Sequence, residues 1–183
     1  TNALRHKDER MVLKLLKLNA QVSEAAMEQA ARSASLTVIQ ALLDIWKSEA
    51  SANAQVIWSG VMERPGVLAT VWSRRDHVLS RMLVSAVEAG RVDTAELLIQ
   101  NGALRQAADL ASCLKQSCRR GDVAMLRTLF QANATAGLSG SSKRSFQLEA
   151  EHYWAALKTA VSMSVLECAQ IVLSEIADPS ARR

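Results

Sequence analysis

The feature that most constrains this chain is an internal repeat. Residues 83–103, LVSAVEAGRVDTAELLIQNGA, align without a gap on residues 114–134, LKQSCRRGDVAMLRTLFQANA. Identical residues coincide at Leu83 and Leu114, Gly90 and Gly121, Val92 and Val123, Leu98 and Leu129, Gln100 and Gln131, and Ala103 and Ala134. The two copies start 31 residues apart, a period typical of proteins that stack one small structural unit.

Together with weaker copies, these two units account for most of the chain. The full set is a half unit at 10–20 and full units at 27–47, 56–76, 83–103, 114–134 and 157–177. Residues 135–150 contain Gly, Ser and Lys and read as a surface loop inserted before the last unit. We expect residues 1–183 to form a single repeat domain. Since the sequence starts at Thr1 rather than Met, we also expect it to be part of a longer protein.

Each unit has the pattern of two short helices. In the unit that starts at Leu83, apolar and small side chains recur at helical spacing up to Val87, and Gly90 follows where a helix would end. A second helical pattern begins near Ala95. Two short helices cannot bury their apolar faces alone, so neighbouring units must stack. With only two prolines and 4% aromatic residues, the chain is predicted to be all-α, an α-solenoid of stacked helix-turn-helix units.

The stretch AVEAGRVDTAELLIQNGA, residues 86–103, resembles the ankyrin repeat family. It has that family's small residue, helix-ending glycine, paired leucines and closing Gly-Ala. The family's Thr-Pro-Leu-His opening is absent from every unit. Another α-solenoid with two helices per unit therefore remains an alternative. Tetratricopeptide repeats fit less well because their Trp, Leu-Gly and Tyr positions are unmatched, and HEAT-like units would be about 40 residues long.

The resemblance implies a function, because ankyrin-type solenoids bind partners on the concave face formed by first-helix positions and loop tips. The expected role is a non-catalytic protein-protein interaction scaffold, either free or as a subunit of a larger assembly. The candidate partner-binding residues are Arg32, Ser85, Glu88, Arg105, Lys115, Gln116, Arg119, Arg120 and Lys158.

The most charged of these positions are Lys115, Arg119 and Arg120. Because arginine binds carboxylates in a bidentate manner, we expect this patch to bind an acidic or polar segment of a protein partner. The alternative is that Arg119 and Arg120 only solvate the C-terminus of their own helix, where the helix dipole favours cations.

Nothing in the sequence assembles an active site. The histidines and cysteines lack the spacing of a metal site, and no phosphate-binding loop or nucleophile elbow occurs. These residues are His6, His77, His152, Cys113, Cys118 and Cys168. We therefore expect no enzymatic activity, no metal, no cofactor and no small-molecule substrate. The cysteines are expected to be buried thiols of an intracellular protein, cytoplasmic or nuclear.

The formal net charge of +4 allows a nucleic-acid-associated protein as the alternative function. The basic pairs that would serve it are scattered over loops and the C-terminal tail: Arg74, Arg75, Lys143, Arg144, Arg182 and Arg183. Trp46, Trp58 and Trp72 are expected to pack between helices rather than to stack on bases. No apolar stretch approaches the length of a membrane span, so no membrane insertion is expected.

Overall fold

The computed structural model describes residues 9–18, 22–60, 65–104, 107–136, 148 and 150–177. These residues form helices and no strands, which confirms the all-α class for the described part of the chain. The helices are α1 Glu9–Lys17, α2 Glu24–Ser33, α3 Leu36–Gly60, α4 Pro65–Ala89, α5 Val92–Gln100, α6 Ala107–Arg120, α7 Val123–Ala136, α8 Ala150–Ser162 and α9 Leu166–Ala177.

The helices lie in two layers that follow chain order. In the first layer, α2 contacts α4, α4 contacts α6, and α6 contacts α8. In the second layer, α1, α3, α5, α7 and α9 contact one another in the same succession. Each first-layer helix also contacts the helix that follows it, so the layers are joined through the pairs α2–α3, α4–α5, α6–α7 and α8–α9.

The four pairs share the position at which the second helix begins. These helices start at Leu36, Val92, Val123 and Leu166. Each of these residues lies nine positions after the first residue of its aligned unit, at 27, 83, 114 and 157. The ungapped sequence alignment therefore places equivalent residues at equivalent points of the helix pairs.

The turn between the two helices of a pair is left-handed in the last three pairs. Gly90, Gly121 and Ser164 occupy the same unit position, with φ of 72°, 70° and 58°. The residue after each turn donates a backbone hydrogen bond back into the first helix, as in Arg91 N to Ala86 O at 2.9 Å. This pattern is the Schellman ending of a helix, which satisfies carbonyl groups that would otherwise have no donor. In the α2–α3 pair, Ala34 is extended instead, with φ of −82°.

Residues 56–76 were predicted to form a separate unit, and the structure divides them between two helices. Residues 56–60 are the end of α3 and residues 65–76 are the start of α4, and each of these helices is 25 residues long. No helix-ending glycine follows Lys47, so α3 continues through alanine and serine. Pro65 begins α4, because proline at the first helical position loses no hydrogen bond. The inserted loop predicted at 135–150 lies mostly outside the described residues.

The core lies between the two layers and between successive pairs. Its fully buried side chains include Met82 and Leu83 of α4 and Leu114 of α6. The rings of Phe130 in α7 and Tyr153 in α8 stack with centroids 6.1 Å apart, which joins the last two pairs. A smaller apolar cluster joins α1 to α2 and α3. Within the described residues, no helix is long and apolar enough to cross a membrane.

The turn geometry predicts opposite effects at two equivalent positions. Gly121→Ala should lower the free energy of unfolding by about 1 kcal/mol, because an L side chain is strained at positive φ. The added Cβ would also lie 3.3 Å from Cγ1 of Val165. Ser164→Gly should raise the same quantity by about 0.5 kcal/mol, since it removes left-handed strain from a non-glycine residue. Urea denaturation measures both, and a neutral Gly121→Ala variant would contradict the assignment of the turn.

Candidate protein-interaction face

The first-layer helices present a common face, which we call the first-helix face. It is formed by two rows of side chains at equivalent unit positions, four residues apart on each helix and therefore on the same side of it. None of these side chains is buried. The rows contain Glu28, Val84, Lys115 and Lys158, and Arg32, Glu88, Arg119 and Ser162.

Charges on the N-terminal half of this face neutralise one another. Arg32 Nη2 lies 2.8 Å from Glu88 Oε2, and Arg81 Nε lies 2.9 Å from Glu28 Oε1. Both ion pairs join α2 to α4, and each is largely exposed, so each stabilises the fold by about 0.2–1 kcal/mol. The predicted partner-binding residues Arg32 and Glu88 thus bind each other.

The C-terminal half of the face carries basic side chains without an acidic partner. Lys115 and Arg119 of α6 and Lys158 of α8 are all exposed. In the part of the chain that the structure describes, none of them forms an ion pair or a hydrogen bond. We call these three residues the basic row. Among the predicted partner-binding residues, they form the group that is open to an external acid.

Arg120 lies next to the basic row but points to the neighbouring pair. Its Nη1 donates a hydrogen bond of 2.6 Å to the backbone carbonyl of Glu88, near the end of α4. Its guanidinium also covers Gly90, where an added Cβ would lie 2.7 Å from Nη2. Arg91 makes the equivalent contact one pair earlier, donating from Nη1 to the carbonyl of Ala34. Arg120 is the last residue of α6, as the sequence alternative had it, and its side chain also reaches the C-terminal end of α4.

The structure corrects the predicted exposure of Ser85. It was expected to point outward, but its exposed fraction is 3%. The reason is that α4 lies between α2 and α6. More of its circumference is therefore buried than contact with α5 alone would bury. Gln116 is half-buried, and Arg105 lies outside the described residues.

Sequence reasoning missed the ion pair of Arg81 with Glu28. A signal for it was present, because Arg81 and Glu88 are seven residues apart on α4, and Glu28 and Arg32 are four apart on α2. Opposite charges therefore alternate on both helices at spacings that share a helix face.

The basic pairs of the nucleic-acid alternative fall on residues or side chains that the structure does not describe. The side chains of Arg74 and Arg75 and the residues at 143–144 and 182–183 lie outside the described part. The side chains of Trp58 and Trp72 also lie outside the described part, whereas Trp46 is half-buried against the core.

The three cysteines are buried. Cys113, Cys118 and Cys168 are free thiols. Burial raises the pKa of Cys113 and of Cys118 from 9.0 to about 12, and it also raises the pKa of Cys168. The thiolate, which is the nucleophilic form, is therefore scarce at neutral pH. Over the described residues, no cluster of His, Cys, Asp or Glu is arranged to hold a metal ion.

Comparison of the chain with protein-family models, with curated proteins and with solved structures gives no match.

Substitution of the adjacent residues Arg119 and Arg120 should change the free energy of unfolding by different amounts. Arg120→Ala should lower the free energy of unfolding by about 1 kcal/mol, because it removes a charge-assisted bond to a helix-end carbonyl. Arg119→Ala, the matched control on the same turn, should change it by less than about 0.5 kcal/mol. Urea denaturation of both variants tests this, and equal effects would contradict the interhelical role of Arg120.

The buried thiols predict a loss of stability at alkaline pH. The unfolded chain releases thiol protons above pH 9, whereas the folded chain holds the protons of Cys113 and Cys118 until about pH 12. Their contribution to stability is therefore complete below pH 9 and declines as the pH rises from 9 towards 12. Urea denaturation across this range should show the decline, and a Cys113→Ala variant should show a shallower one. Identical slopes would rule out Cys113 as a contributor.

Proposed function

We propose that this chain is a non-catalytic protein-protein interaction scaffold, a single domain of ankyrin-like repeats forming an α-solenoid. The basic row of Lys115, Arg119 and Lys158 would bind an acidic segment of a partner protein. The observation that carries the proposal is a contrast among the described residues of one face: charges on α2 and α4 form ion pairs with one another, whereas Lys115, Arg119 and Lys158 form none.

The spacing of the basic row suits a peptide ligand. Lys115 and Arg119 are separated by about 6 Å along α6, since a helix rises 1.5 Å per residue. Lys158 occupies the same unit position as Lys115 on the adjacent helix, and packed helices lie about 8–10 Å apart. Alternate side chains of an extended peptide are about 6–7 Å apart. Two carboxylates at alternate positions can therefore reach two members of the row.

The chemistry of the row favours carboxylates over other ligands. Arg119 supplies a planar bidentate donor, whereas Lys115 and Lys158 supply mobile point charges. Because all three are exposed, each charge pair would contribute about 1 kcal/mol or less, so the row would give specificity and fast association rather than high affinity. The free cysteines fit a reducing compartment, so an intracellular location belongs to the same proposal.

Fluorescence anisotropy with a labelled glutamate-rich peptide of about 12 residues tests this function. The full chain should bind it more tightly than a serine-glycine peptide of equal length, and rising salt should weaken the binding because exposed charges are screened. A Lys115→Glu/Arg119→Glu variant should raise the Kd by about 10-fold or more, since two attractions become repulsions.

The matched control reverses an exposed charge in the other layer. Arg127 of α7 is exposed and lies outside the first-helix face. Arg127→Glu should leave the Kd within about 2-fold of that of the unmodified chain, since only screened long-range repulsion is added. Equal loss of binding in this variant and in the double variant would show that net charge, not the basic row, determines the interaction.

A further inference from the structure

The last helix pair exposes an apolar surface that earlier pairs keep covered. On α8, Trp154 is 59% exposed and Val161 is 64% exposed. On α9, Leu166 is 71% exposed and Leu173 is 48% exposed. We call these four side chains the end face. Residues seven apart lie on the same side of a helix, so each helix contributes one stripe.

On α8, the end-face positions correspond to buried positions of the inner first helices. Val161 is equivalent to Val87 of α4 and Cys118 of α6, whose exposed fractions are 1% and 0%. Trp154 is equivalent to Ser80 of α4, which is buried as well. The inner helices have a following first-layer helix against them, since α6 contacts α4 and α8 contacts α6. The stripe on α8 is therefore the side on which first helices stack.

The same relation holds on α9. Leu173 is equivalent to Phe130 of α7, which is only 6% exposed. Phe130 is stacked against Tyr153 of the following pair. Leu166 is equivalent to Val123, which is half-buried, but also to Leu36, which is 40% exposed, so the relation does not extend to it. At Val161, Trp154 and Leu173 the end face is thus the surface by which one helix pair contacts the next.

The opposite end of the stack is a poor match for this surface. Among the described residues at that end, the large exposed apolar side chains belong to Met11 and Leu15 of α1 and to Leu18, which directly follows α1. This helix belongs to the second layer. On α2, the first-layer helix at that end, no large hydrophobic side chain is exposed. Head-to-tail stacking of two chains would therefore leave Trp154 and Val161 without an apolar partner.

We propose that the end face binds the end face of a second copy of this chain, with the two α8 helices antiparallel about a two-fold axis near Trp154. Charge complementarity favours this arrangement. Glu151 and Lys158 are both exposed, lie seven residues apart, and therefore flank the apolar stripe on the same side of α8. An antiparallel pair centred near Trp154 sets Glu151 of each copy opposite Lys158 of the other. A two-fold interface of this kind contains the same ion pair twice.

Sedimentation equilibrium of the full chain tests the proposal. At about 100 µM the chain should have the mass of two copies, and it should dissociate on dilution towards the 19.9 kDa of one copy. Trp154→Glu should remove the association, because it places a charge at the centre of the interface. Leu15→Glu, which changes an exposed apolar residue at the other end, should leave it unchanged. Circular dichroism checks that both variants keep their helices.

A charge exchange distinguishes the antiparallel arrangement from general hydrophobic association. Glu151→Lys and Lys158→Glu should each weaken the dimer by about 10-fold, because each sets like charges opposite one another. The double variant restores opposite charges and should regain the original dissociation constant. Failure of this rescue would overturn the arrangement. A mass of one chain at every concentration would overturn self-association through the end face. Lys158 belongs to the basic row and also flanks the end face, so peptide binding is tested separately through Lys115 and Arg119, which lie on α6.

Discussion

The contact between successive helix pairs is the interaction on which the rest of the structure depends. A pair of short helices has too little apolar surface to exclude water from both sides of each helix by itself. In this chain the shortage is resolved by stacking: α4 lies between α2 and α6, and its side chains Met82, Leu83 and Ala86 are fully buried. Stability in such a stack is approximately a sum of pair stabilities and contacts between neighbouring pairs. The position of a residue within its pair therefore decides whether it is buried, and its position along the stack decides what buries it.

The left-handed turn makes this stacking regular. With Gly90, Gly121 and Ser164 at one unit position, the second helix leaves the first in the same direction each time, so equivalent side chains face equivalent neighbours. The polar contacts across the junctions change along the chain. Arg91 and Arg120 each donate to a carbonyl at the end of the preceding first helix. At the last junction, Val165 packs beside Gly121 instead. The early pairs are thus joined by polar bonds in addition to apolar contact.

This regularity explains which features could be predicted from the sequence. Helical periodicity and a helix-ending glycine depend on neighbours within one unit, so the sequence predicts a second helix after Gly90, although this helix begins at Val92 rather than near Ala95. The burial of Ser85 depends on a helix from another unit, which periodicity within α4 does not encode. The same limit applies to Arg120, whose partner lies one unit away. Residues 56–76 are not one of the four helix pairs: they contain the end of α3 and the start of α4.

The two proposed surfaces follow from a single physical rule applied to charge and to apolar area. Inside the stack, Arg32 meets Glu88 because α4 supplies an acid where α2 supplies a base. One pair further on, α6 presents Lys115 and Arg119, and α8 presents another base rather than an acid. Charge that the stack does not neutralise is free to attract an external acid. Likewise, Val161 has the chemistry of an interior residue but is 64% exposed. Both proposed surfaces therefore lie where the complementarity between neighbouring helix pairs stops, which within the described residues is at α8.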